Sequence, residues 1–103
     1  MPSHVPRTDT SKKREQLARR EQELDHAIRS AMSRDELVCA AEGVRAAQLS
    51  LLKAELYWAE EARIIGRGVV KPSVEAHIGN IQRDKQRWTE RSIDEILHDY
   101  TRA

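Results

Sequence analysis

Residues 33–66 read SRDELVCAAEGVRAAQLSLLKAELYWAEEARIIG, and this stretch decides the architecture. Leu37, Ala40, Val44, Ala47, Leu51, Ala54, Trp58 and Ile65 recur at helical spacings, with no proline among them. That period is one face of an α-helix. A second apolar row, Val38, Ala41, Leu49, Leu52, Leu56 and Ala59, runs beside the first. A helix with two adjacent apolar stripes has more than one flank to bury. Other helices must clasp it, from this chain or from a second copy.

The stretch opens on Ser33-Arg34-Asp35-Glu36, a Ser-x-x-Glu capping box in which hydroxyl and carboxylate each satisfy a free backbone N–H. Upstream, Leu17, Leu24, Ala27, Ile28 and Ala31 form a narrow apolar stripe on an otherwise charged helix beginning near Thr10. The box places a break near Met32. Because no Gly or Pro stands there, one uninterrupted rod from 10 to 65 is the competing form. Downstream, Gly66 is the expected C-terminal cap, and Pro72-Ser73 opens a third helix. That helix carries Val74, Ile78, Ile81 and Trp88 on one face, then Ile93, Ile96, Leu97 and Tyr100 on a shifted one. A second Ser-x-x-Glu box, Ser92 to Glu95, marks where it bends or turns to a different neighbour. Inside the central helix, Gly43 costs about 1 kcal/mol relative to alanine, and a close helix crossing is the reason to expect it there.

The expected organisation is a flexible tail over 1–9 and a single helical domain over 10–103, with helices at 10–31, 33–65 and 73–101. The fold class is all-α: an antiparallel helical hairpin within a three-helix, coiled-coil-like bundle, expected to oligomerise. Folding the hairpin about residue 69 sets position i roughly opposite 138 − i. Trp58 then meets Ile81, Leu51 meets Trp88, Glu61 meets His77, and Lys85 falls within a turn of Glu55. Such polar pairs fix the register of helical seams.

The 103 residues suit one small core. Charged residues make up 34% against 4% aromatics, the vocabulary of extended helices, and the net charge of +1 gives no overall pull toward polyanions. The single cysteine, Cys39, excludes an internal disulfide and fits a reducing cytoplasm. No signal-peptide core stands at the N-terminus, and no apolar run reaches the roughly 20 residues a membrane span needs.

Candidate chemistry is thin. Glu23/His26 and Glu95/His98 have the Glu-x-x-His spacing of di-iron bundles. At 100° per residue, however, His26 stands about 200° from Leu24, and His98 the same from Ile96. Neither pair is expected to hold metal. Cys39 has no cationic neighbour in sequence to activate its thiol and reads as packing filler. His77, among Val74, Ile78 and Ile81, is expected half-buried against a carboxylate. The connector 66–71 combines two glycines and two bases before a helix N-terminus, the ingredients of an anion cradle. It matches neither a Walker loop nor a dinucleotide fingerprint. No catalytic motif is present, so no enzyme activity, cofactor or metal is expected.

The function expected is that of a small cytoplasmic interaction protein: an adaptor, chaperone-like or regulatory subunit that binds a protein partner or its own copy through an apolar helix face. Leu49, Leu52, Leu56, Ile93, Leu97 and Tyr100 are the expected contact residues. The alternative is a nucleic-acid-associated protein using Lys12, Lys13, Arg14, Arg19 and Arg20 of the first helix with Arg83, Arg87 and Arg91 of the third. Acids interleaved among the second group weaken that alternative.

Overall fold

Four helices follow one another: α1 Arg7–Arg29, α2 Arg34–Ile65, α3 Pro72–Glu90 and α4 Ile93–Thr101. The computed structural model describes the backbone of residues 7–65 and 72–101 and the side chains of residues 10–61 and 72–101. Among the described residues there is no strand. Helix α1 starts three residues before the expected position, so the expected tail keeps only residues 1–6, which lie outside the described residues. The 66–71 connector, with its candidate anion cradle and its Gly66 cap, lies outside them too.

The break before α2 is made by backbone geometry. The N–H of Met32 bonds to the carbonyl of Ala27 at 3.2 Å, and that of Ala31 to Ile28 at 3.2 Å. This is the paired closure of a Schellman turn, which requires one left-handed residue. Ala31 takes that role with φ 51°. Its Cβ makes the conformation cost about 1–2 kcal/mol, which is why a sequence search for glycine misses the stop. Ser33 then caps α2: the Glu36 N–H donates to Ser33 Oγ at 3.3 Å and the Leu37 N–H to the Ser33 carbonyl at 3.0 Å. The Glu36 carboxylate accepts from the Ser33 hydroxyl itself, at 3.2 Å.

The helix expected over 73–101 is two helices. The Arg91 N–H still bonds to the Arg87 carbonyl at 3.0 Å, and Ser92 then opens α4. The Glu95 N–H donates to Ser92 Oγ at 3.1 Å, and the Ile96 N–H to the Ser92 carbonyl at 3.2 Å. The shift of apolar phase between Trp88 and Ile93 is absorbed by this restart.

Helix α2 is the centre. It packs against α1, α3 and α4; α1 also meets α4, whereas among the described residues the α1 and α3 backbones do not pack on each other. The core joins Leu24, Ala41, Val44, Leu52, Ala59, Ile78, Ile81, Trp88 and Ile96. Leu24, Val44 and Ile96, one each from α1, α2 and α4, are fully buried. Each such side chain stabilises the fold by about 1.5–3 kcal/mol. Two stripes on α2 therefore receive two sets of helices, and its remaining sector stays wet: Cys39, Glu42, Ala46 and Lys53 are all exposed. At 100° per residue these four fall within roughly 60° of arc. Cys39 is thus a surface residue and not packing filler.

Several inter-helix contacts tie the later helices to α2. Arg34 pairs with Asp94. Arg45 donates through Nη2 to the carbonyl of Arg91, satisfying one of the acceptors that the end of α3 leaves open. Leu56 shares a groove with Gln82, Lys85 and Gln86. His77 is exposed, against the half-buried position expected, and no hydrogen bond or ion pair joins it to Glu61 among the described residues. It lines a groove together with Glu55, Trp58 and Ala59. Gly43 lies under the Arg20 stem; a Cβ there meets Arg20 Cδ at 3.5 Å, an ordinary contact, so no close backbone crossing demands glycine.

The molecule measures 53 × 26 × 19 Å, with a radius of gyration of 16.4 Å. A compact chain of 100 residues has about 13 Å. Among the described residues no helix is long and apolar enough to cross a membrane.

Candidate interaction surface

The six residues expected to meet a partner divide in the structure. Leu52 is 5% exposed and belongs to the core, so its own chain closes over it and it leaves the candidate surface. Leu49, Leu56, Ile93, Leu97 and Tyr100 are half-buried and pack their inner sides against the same core. They are the outer margin of the apolar interior. Tyr100 is held further: its hydroxyl donates to the Glu21 carboxylate, joining α4 to α1. Burial pushes its phenol above the ordinary tyrosine range; the Glu21 bond and charge add to that, and Arg91 works against it.

The basic groups divide differently. In α3, Arg83 donates to Asn80 and Arg87 pairs with Asp84. Arg91 stacks over the Trp88 ring at 4.7 Å and pairs with Asp99, so it is folded into its own chain. In α1 only Arg20 of the five is paired, to Glu23 at 3.1 Å; Lys12, Lys13, Arg14 and Arg19 have no acid partner among the described residues.

Two local features have no counterpart in the sequence reading. Between α1 and α2, a hollow of about 400 Å³ is lined by His26, Met32, Cys39 and Gly43 among others. Among the described residues, however, no group of three His, Cys, Asp or Glu side chains has a metal-holding arrangement. The second is a groove of about 430 Å³ where α1 and α3 both lean on α2, their backbones not packing on each other among the described residues. Thr10, Ser11 and Arg14 of α1 form one wall, Glu55, Trp58 and Ala59 of α2 the floor, and His77 of α3 the other wall. Thr10 is only 9% exposed. Arg14, Glu55 and His77 make no ion pair with one another.

Sequence periodicity could not assemble this groove, because its residues come from three helices and from the polar sides of their stripes. The only signal was that Glu55 and His77 interrupt apolar ladders. No protein-family model, no curated protein and no solved structure matches this chain.

Proposed function

We propose that this chain is a small helical interaction module, an adaptor, chaperone-like or regulatory protein that works by helix–helix contact in the cytoplasm. In this reading α2 and α3 form an antiparallel hairpin, and the chain closes residual apolar surface by self-association or on a protein partner. The observation that carries it is the separation of α1 from α3. One central helix is clasped from two sides by helices that do not close around it. Leu49 and Leu56 of α2 with Ile93 and Leu97 of α4 stay half-buried at the margin of the core. In a symmetric dimer one such margin covers its twin. The elongated shape supports the same reading, since a thin molecule offers more helix flank per buried residue.

The test is the mass by light scattering over a concentration series, with Leu56→Asp beside the parent. A mass near twice 11.8 kDa that falls to the monomer in Leu56→Asp, with unchanged helicity, supports self-association. A monomer at every concentration, together with no partner whose binding Leu56→Asp weakens, overturns the proposal. Leu52→Asp is the contrasting variant: it places a charge in the core and should unfold the chain rather than merely dissociate it.

A second reading keeps the unpaired cations of α1, which favour a polyanion more than the self-paired row of α3 does. Nucleic-acid binding that weakens steeply with salt, and is lost on neutralising Lys12, Lys13, Arg14 and Arg19, is its signature.

A further inference from the structure

We infer that the self-association proposed above proceeds by exchange of α4, each copy docking its last helix on the α1 and α2 of the other. The inference rests on that reading and names how two copies hold each other. Three observations carry it. First, α4 packs on α1 and α2, while its backbone does not pack on α3, the helix it follows, among the described residues. Its Tyr100 bond to Glu21 and its Asp94 pair with Arg34 both reach those earlier helices, and its Ile96 is fully buried. The seat of α4 is built by the body of the chain, so the α4 of a second copy fits it through the same partners.

Second, the tether between α3 and α4 is a hinge that gains backbone bonds by straightening. The α3 ladder ends on the Arg91 N–H bonded to Arg87, and the α4 ladder begins on the Ile96 N–H bonded to Ser92. One continuous helix adds the four bonds between, from the N–H groups of residues 92–95 to the carbonyls of residues 88–91. Of those eight groups the corner answers two with side chains: the Glu95 N–H donates to Ser92 Oγ, and the Arg91 carbonyl accepts from Arg45. Straightening gives up these two contacts and the Arg91–Asp99 pair, whose acid is half-exposed. Third, nothing in the backbone opposes it. Residues 80–103 hold neither glycine nor proline, and the left-handed Ala31 stands at the other corner. Straightening lifts α4 from its own seat and bares Ile96 and the seat together. Reciprocal exchange covers both, and short hinges are where such exchange starts.

The test uses the full chain carrying Cys39→Ser, which removes its exposed thiol. Arg34→Cys and Asp94→Cys are added together, at exposed positions that pair in the fold. A short bismaleimide then links residue 34 to residue 94 within one chain if α4 is closed, and between chains if it is exchanged. At concentrations where light scattering gives a dimer, the product expected on a denaturing gel is a covalent dimer near twice 11.8 kDa. A dimer in solution without that product overturns the exchange and leaves association of closed chains standing. A monomer at every concentration overturns self-association, and the exchange with it. Ile93→Pro tests the hinge separately. Proline suits the first residue of α4 in the closed corner, but in a continuous helix it removes a bond and strikes the carbonyl four residues back. Relative to Ile93→Ala, it should weaken the dimer about a hundredfold with the helicity of the monomer unchanged. Equal dimer affinity of the two variants overturns the straightened hinge on which the exchange stands.

Discussion

The molecule turns a corner twice without help from proline or glycine, at residues 30–33 and at residues 91–92, and it does so by different means. Both corners end in the same cap, a serine whose Oγ accepts the N–H three residues on. What precedes the cap differs. The first corner is a backbone device: two carbonyl closures around a left-handed Ala31. The second is a side-chain device. Arg91 is clamped on Trp88 and Asp99 while its carbonyl accepts from Arg45, and Arg34 crosses to Asp94 in the first turn of α4. A corner held by backbone closure depends little on its surroundings. One held by side chains of three helices exists only when those helices are docked, so α4 should be the conditional part of the fold.

The strongest break of this comparison is Ile96→Ala. Ile96 is the one fully buried residue of α4, a helix of nine residues, and its truncation should cost about 2–5 kcal/mol. Leu24→Ala in α1 should cost a similar amount, yet α1 has 23 residues and keeps the buried Ala27 beside Leu17 and Ile28, whereas α4 keeps the half-buried Ile93, Leu97 and Tyr100. Hydrogen exchange should therefore show α4 protection lost in Ile96→Ala while α1 stays protected, and no such selective loss in Leu24→Ala. Equal loss across both helices in both variants would mean the corners are equally autonomous.

Next in size are the caps. Ser33→Ala and Ser92→Ala should each lower the urea midpoint by an amount equivalent to about 1 kcal/mol. If α4 depends on docking, Ser92→Ala should also reduce protection of α4 amides below that of the rest of the chain. Ser33→Ala, beside an intact Schellman turn, should destabilise without local fraying.

How legible the fold was follows from the same contrast. The two Ser-x-x-Glu boxes and the doubled stripe of α2 are local patterns, and they located α2 and both corners. The left-handed Ala31 was invisible because its conformation is imposed by carbonyls four and three residues back, not by its own preference. The exposure of Cys39 and His77 was misjudged because adjacency to apolar residues in sequence says little at 100° per residue. The fate of Leu52 could not be read, since a two-striped helix does not declare which stripe its own chain will cover. The groove at Thr10 needed three helices placed at once.

A smaller effect of opposite sign tests the backbone corner alone. Ala31→Gly removes the Cβ that makes the left-handed conformation costly, at the expense of a more flexible unfolded chain. The net should be a stabilisation of about 0.5–1 kcal/mol, read as a higher urea midpoint with unchanged helicity. No change would place Ala31 outside the left-handed region in solution.

The smallest effect distinguishes the corners by chemistry, because only the second leads into a titratable tether. Tyr100 on α4 donates to Glu21 on α1, and its phenol is raised above the ordinary value of 10.0, chiefly by burial and then by Glu21. A raised pKa in the folded chain means the stability it contributes is complete below that ordinary value. That contribution is lost as pH rises toward the folded value, because the unfolded tyrosine ionises first. Comparing the parent with Tyr100→Phe by urea unfolding at a series of alkaline pH values isolates the tether from everything the two chains share. The parent should be the more stable below pH about 10, and the difference should shrink with each step above it. In a Tyr57→Phe chain, whose only tyrosine is Tyr100, phenolate absorbance should appear above the ordinary midpoint. An ordinary midpoint would remove the Tyr100 tether and leave the second corner resting on Arg91, Arg45 and Arg34.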